Sequence, residues 1–203
     1  MTQVKKFQFA GGRLCLDFAN TVDNRRSPQA VDQIDIYEDV IEWTQQAGIL
    51  SARDAQQIVR ASANNQMSAD SALQHAVTMR EAIYQIFSAV AAKRQPPLVV
   101  LERLNRTVRD AGGSRILVPG TERFNWKWMT PPGHLEWILW PVALDAAELL
   151  TSDDLSRVRE CGSETCGWLF IDRSKSHNRR WCEMKSCGNR YKARRHYERV
   201  KGE

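Results

Sequence analysis

Four cysteines near the end of this chain constrain its folding more than any other feature. They stand in two equal brackets, Cys161 with Cys166 and Cys182 with Cys187, with four residues inside each bracket and fifteen between them. No apolar run approaches the roughly 18 residues that span a bilayer. The opening MTQVKKFQFAGGRL has two lysines but no long apolar stretch behind them, so no secretory leader is expected and the expected compartment is the cytosol. Disulfides are disfavoured there, and paired cysteine brackets in that setting read as zinc ligands. One tight turn presents two sulfurs, two brackets complete a tetrahedron, and no position remains for a reactive water, so the zinc is expected to be structural. His177 is a possible substitute ligand, but four thiolates already satisfy the ion. Cys15, in the apolar helical pattern RLCLDFAN, reads as a small core residue.

Between the brackets, GWLFI (Gly167 to Ile171) reads as a short strand and DRSKSHN as a polar turn, with RRWC returning to the second bracket. MKSCGNRYKARRHYERVK lacks proline and is rich in helix formers. Knuckle, hairpin, knuckle and helix around one ion give a treble-clef-like finger. A segment of this size buries too little core to fold alone, and zinc binding supplies on the order of 10 kcal/mol or more in such sites.

Charge concentrates in the same place. Residues 157–203 carry thirteen Lys/Arg and six Asp/Glu, a net of +7; subtraction from totals of 29 and 24 leaves −2 for residues 1–156. A slightly acidic body with a strongly basic tail points to a polyanion. The candidate nucleic-acid contacts are Arg179, Arg180, Lys185, Asn189, Arg190, Lys192, Arg194, Arg195 and Arg199. A basic helix fits the major groove of duplex DNA, where most cations would meet phosphates and arginine or Asn189 can read base edges. RNA is the competing partner if Trp168, Phe170 and Trp181 stack on bases rather than fill the core of the finger. An acidic protein, such as part of the transcription machinery, is the other.

The tail CGSETCGWLFIDRSKSHNRRWCEMKSCGNRYKARR resembles the CGNR zinc finger, named for the tetrapeptide found here as Cys187, Gly188, Asn189 and Arg190. GGRLCLDFANTVDNR resembles the opening signature of the ABATE-type domain that precedes this finger in bacterial proteins. MREAIYQIFSAVA (Met79 to Ala91) resembles a second block of that domain. Together the resemblances cover nearly the whole chain. They imply zinc at Cys161, Cys166, Cys182 and Cys187, and a stress-related transcription regulator of the bacterial cytoplasm, nucleoid-associated when on DNA. Lys175 departs from the common arginine and keeps the charge.

The expected fold class is α+β: a mostly helical domain over residues 1–155 with a small antiparallel β-meander, then the finger over 156–203. Leu14, Phe18 and Val22 mark one helix face; Ile36, Val40 and Trp43 mark a second, ended by Gly48. Ser51 caps ARDAQQIVRASAN, the longest helix stops before Pro96 and Pro97, and PLVVLERLNRTVRDAG follows. RILVPG, RFNWKWMT and HLEWILW read as the meander, with FNWKWM alternating as a half-buried strand. PVALDAAELL and TSDDLSRVREC resume helix, with no flexible linker before the finger. Asp17, Asn20, Arg25 and Arg80, with Glu81, either line a ligand pocket or form buried hydrogen-bonded pairs. No catalytic constellation is recognisable, so no enzymatic activity is expected. Dimerisation through the helical domain would strengthen binding by a single finger.

Overall fold

The computed structural model describes residues 5–130 and 134–201; the first residues of the segment read for a leader lie outside that range. Among the described residues, seven α-helices organise the body and tail. The central one is α4 (Gln66–Ala91), capped by Asn65, whose side chain accepts from Ser68 N. Its buried face carries Ala69, Ala72, Ala76 and Ala82 among Met79, Ile83, Ile86 and Phe87. The alanines let neighbouring helices approach closely. Against it pack α1 (Leu14–Ala19), α2 (Tyr37–Gln46), α3 (Ala52–Ala63) and α5 (Leu98–Gly113). The last body helix, α6 (Trp140–Leu150), closes over α1 and α5. Trp43 and Phe18 meet with ring centroids 4.8 Å apart and planes tilted by 58° in the fully buried centre.

The local signals work as the sequence indicates. Ser51 accepts from Asp54 N at the start of α3. Gly48 takes a φ of 75° just past α2, where a side chain would be strained. Asp145 of α6 accepts from Cys15 N at 2.8 Å and pairs with Arg13 at 2.9 Å, satisfying the first turn of α1. Cys15 is fully buried, and burial pushes its thiol well up, so it stays a neutral core side chain.

Among the described residues, the strands form three separate antiparallel pairs. The first, β1 (Val22–Asp23) and β2 (Val31–Asp32), closes a loop after α1, so Val22 is a strand residue rather than the third turn of the helix. The second, β3 (Arg115–Pro119) and β4 (Phe124–Trp128), pairs Leu117 with Trp126 and Pro119 with Phe124. The expected meander is therefore a two-stranded hairpin. Its third segment, Leu135–Leu139, is a 3-10 turn, because Leu135, Ile138 and Leu139 bury at helical spacing. The half-buried reading of FNWKWM also needs correction. Phe124 and Trp126 are exposed, Trp126 under the Arg115 guanidinium, while Trp128 at the base packs on Trp140 with ring centroids 5.4 Å apart. TSDDL likewise begins a 3-10 turn, Asp153–Arg157, rather than a capped α-helix.

The third pair, β5 (Val158–Glu160) and β6 (Leu169–Ile171), brackets the first knuckle. The hairpin of the finger thus encloses Cys161 and Cys166 instead of lying between the two brackets. The reason lies in the pairing partner: Val158 stands opposite Ile171, and both side chains, with Leu169, enter the body core against α1 and α4. A return strand at RRWC would leave those three apolar residues uncovered. The chain ends in α7 (Asn189–Lys201), entered through a π turn over Met184–Gly188.

Candidate metal centre and basic face

The turn between β5 and β6 supplies Cys161 and Cys166; Cys182 follows the loop after β6, and Cys187 sits in the π turn. All four are buried, and their sulfurs lie within 4.8 Å of one another. Cys182 Sγ is 3.7 Å from both Cys166 Sγ and Cys187 Sγ. A tetrahedron of zinc–thiolate bonds about 2.3 Å long has sulfur–sulfur edges of about 3.8 Å. The cage therefore fits zinc and leaves no open position. His177 lies in an exposed turn with a φ of 49° and takes no part in the cluster.

Four thiols this close compete for protons. Hydrogen bonds from Cys166 and Cys182 pull the Cys161 thiol down, while their contacts with Cys161 push Cys166 and Cys182 up. A divalent cation removes that conflict by taking the place of the protons. Around the cage, Trp168, Phe170 and Trp181 form the small second core with Ala10.

The CGNR tetrapeptide reads directly from this geometry. Cys187 is the ligand. A Cβ on Gly188 would run into Met184 Sδ and stand 3.2 Å from Trp181 Cδ1. Asn189 Nδ2 donates to Lys185 O at 3.1 Å, holding the π turn. Arg190 Nη2 donates to Cys187 Sγ at 3.2 Å, setting a cation beside a cage of net negative charge.

Several predicted nucleic-acid contacts are therefore engaged within the finger. Arg179 donates from Nε to Trp181 O at 2.9 Å, also bonds Cys182 O, and lies over the Phe170 ring. Its loop is fixed by the buried Asp172, which accepts from Arg179 N, Ser174 N and Ser174 Oγ. Arg194 pairs with Glu164 and Glu198. Arg180, Lys185, Lys192, Arg195 and Arg199 are exposed and make no ion pair among the described residues.

The four proposed pocket residues separate into two pairs. Asp17 and Asn20 serve the finger: Asp17 Oδ1 accepts from Gly11 N at 2.7 Å, and Gly11 O accepts from Ile171 N at 2.9 Å. Asn20 donates to Leu169 O and accepts from Leu169 N, both at 2.8 Å, like a strand partner for β6. Arg25 and Arg80 instead bind α4 to the loop around it. Arg25 forks onto Glu81 at 2.5 and 3.1 Å, and Arg80 forks onto Asp32 at 2.6 and 2.7 Å. Burial opposes the charge on Glu81 and Asp32, but these arginines outweigh it and hold both carboxyls below their ordinary range.

Sequence reasoning passed over Arg26. Its backbone N donates to Thr165 O, its guanidinium reaches Cys161 O and Ser163 O, and it pairs with Glu160 at 2.6 Å. Tyr84 and Ser88 of α4 hydrogen-bond the same glutamate. Trp168 Nε1 donates to Val22 O. No local pattern announces contacts between residues more than a hundred positions apart.

Comparison with known families agrees with this geometry. Residues 12–153 match the ABATE family, described as "Putative stress-induced transcription regulator", and residues 157–200 match the CGNR zinc finger. No curated protein matches the chain. Among the described residues, no helix is long and apolar enough to cross a membrane. The residues that hold the finger against the body, Gly11 to Arg26, are largely the ABATE opening signature itself, and the chain belongs to the ABATE family, with a CGNR zinc finger following that domain.

Proposed function

We propose that the protein regulates transcription by binding duplex DNA through its zinc finger, without catalysis. It would act in the bacterial cytoplasm, with the ABATE domain serving ligand sensing or assembly. The observation that carries this reading is that five of the candidate contacts, Arg180, Lys185, Lys192, Arg195 and Arg199, are exposed and make no ion pair among the described residues, on and beside a helix whose start is fixed by the metal cage. Long-range charge favours any polyanion. Duplex is favoured over single strands because Trp168, Phe170 and Trp181 are buried in the finger, so they offer no stacking platform.

A salt titration on a random duplex tests the proposal. Five phosphate contacts predict a slope of log K against log salt of about −4.5. Absence of duplex binding at low salt would overturn it. A second reading, an acidic protein partner, draws support from Met184, Tyr197 and Val200, exposed apolar side chains on the same segment. Stoichiometric capture of one protein by nuclease-treated samples would favour it. Self-association would place two fingers on one duplex, and the exposed Leu117, Phe124 and Trp126 on one face of the β3–β4 hairpin offer a surface for it. Sedimentation equilibrium showing only monomer would remove that element.

A further inference from the structure

A groove of about 300 Å³ runs between the first knuckle and α7. One wall is Gly162 to Thr165; the other is Arg180, Tyr191 and Arg194, with Arg190 beneath. Resting on the DNA-binding reading above, we infer that this groove seats one backbone phosphate of the duplex, and that Glu164 is the resident counterion which that phosphate displaces.

Both walls are built in advance. The knuckle is held by zinc ligands at each end and by Arg26, which hydrogen-bonds the carbonyls of Cys161, Ser163 and Thr165. Opposite, Trp181 and Tyr191 stack at 4.8 Å, and the Arg180 guanidinium lies 5.0 Å from one ring and 5.5 Å from the other. Arg180 is thus oriented by aromatic faces while its charge has no carboxylate partner among the described residues. Ser163 and Thr165 line the groove, and their hydroxyls make no hydrogen bond among the described residues. An arginine fork with neighbouring hydroxyl donors matches the geometry of a phosphate.

Glu164 already occupies the anion position, paired with Arg194. Both side chains are mostly exposed, at 73% and 60%, so water screens the pair and the carboxylate is held weakly. A phosphodiester, delivered by a duplex that the rest of α7 also attracts, would exchange with it. Glu164 then tunes affinity downward and lowers the number of counterions released on binding.

The test uses full-length, zinc-loaded protein and the random duplex, with zinc content and melting temperature checked for each variant. Glu164→Gln should bind several-fold tighter at moderate salt, with a steeper slope, because the groove loses its resident anion and Arg194 keeps only the exposed Glu198 on its own helix as a partner. Arg180→Gln should weaken binding, with a slope shallower by about one unit. Arg195→Gln, outside the groove, serves as the reference. If wild type does not bind duplex, the functional reading itself fails. If Arg195→Gln weakens binding while Glu164→Gln and Arg180→Gln match wild type, only the groove assignment fails. Weaker binding by Glu164→Gln would make the carboxylate a brace for Arg194 and overturn its counterion role. Inorganic phosphate at constant ionic strength, followed by the Trp181 indole resonance, separates the phosphate sources. Saturation below millimolar would assign the groove to a free phosphate instead of the duplex; no response supports the duplex.

Discussion

At the scale of single residues, two ionisable side chains have surroundings that set their physical roles. Asp17 is an acid in an apolar helix, accepting one backbone N–H. Burial raises its pKa to about 7, the Gly11 hydrogen bond works against that rise, and Asp145 adds to it. In the native state Asp17 is therefore protonated between about pH 4 and 7, where the unfolded chain has lost that proton. Native protein binds more protons there, so stability falls as pH rises through the window and levels off above it. The upper limit is about 4 kcal/mol, from a shift of roughly three units. Asp17→Asn keeps the acceptor and removes the titration. Thermal melts should show it gaining more over wild type at pH 8 than at pH 5; parallel curves would contradict the assignment. Arg190 is the opposite case, a cation that sequence assigns to DNA and the structure places on Cys187 Sγ. Arg190→Ala should weaken zinc roughly 10–100-fold in competition with a chromogenic chelator, the usual cost of losing a partner of a metal ligand. Unchanged zinc affinity would return Arg190 to the nucleic-acid face.

At the scale of elements, the metal ligands and helices are legible because their signals are local. Bracket spacing, Ser51, Gly48 and the paired prolines each act within a turn of their own position. The strand assignments failed where the deciding contact is distant. HLEWILW looks like a strand by aromatic content, yet Leu135, Ile138 and Leu139 bury together only because the body core lies on one side of them. LFI pairs with VRE rather than with RRWC because α1 and α4 offer a surface for Val158, Leu169 and Ile171. The basic tail was legible as a charge excess, but not its division of labour. Composition counts Arg179 and Arg190 equally with Lys192 and Arg199, although the first two are bonded within the finger and the others make no ion pair among the described residues.

At the scale of the molecule, the finger and the body share one buried core. Val158, Leu169 and Ile171 belong to the same buried cluster as Leu16, Phe18 and Ile83. Asn20 pairs with both backbone groups of Leu169, and Glu160 joins Arg26, Tyr84 and Ser88. The knuckle between β5 and β6 is closed by two zinc ligands, so metal loss should loosen the strands that pack into the body core. Metal binding is then part of the folding free energy of the whole chain rather than of the finger alone. A chelator should lower the melting temperature of the body, followed by Trp43 and its buried neighbours, in step with loss of the finger. Asn20→Ala should partly uncouple the two, because it leaves both Leu169 backbone groups unsatisfied at a cost of about 1–3 kcal/mol each. In that variant chelation should shift the body transition less than in wild type, while zinc stoichiometry stays at one per chain. Two separate transitions in chelated wild type, with the body unchanged, would show that the shared core does not couple them. The same coupling gives a ligand bound in the ABATE domain a physical route to the finger, because any change in how α1 or α4 packs falls directly on β5 and β6.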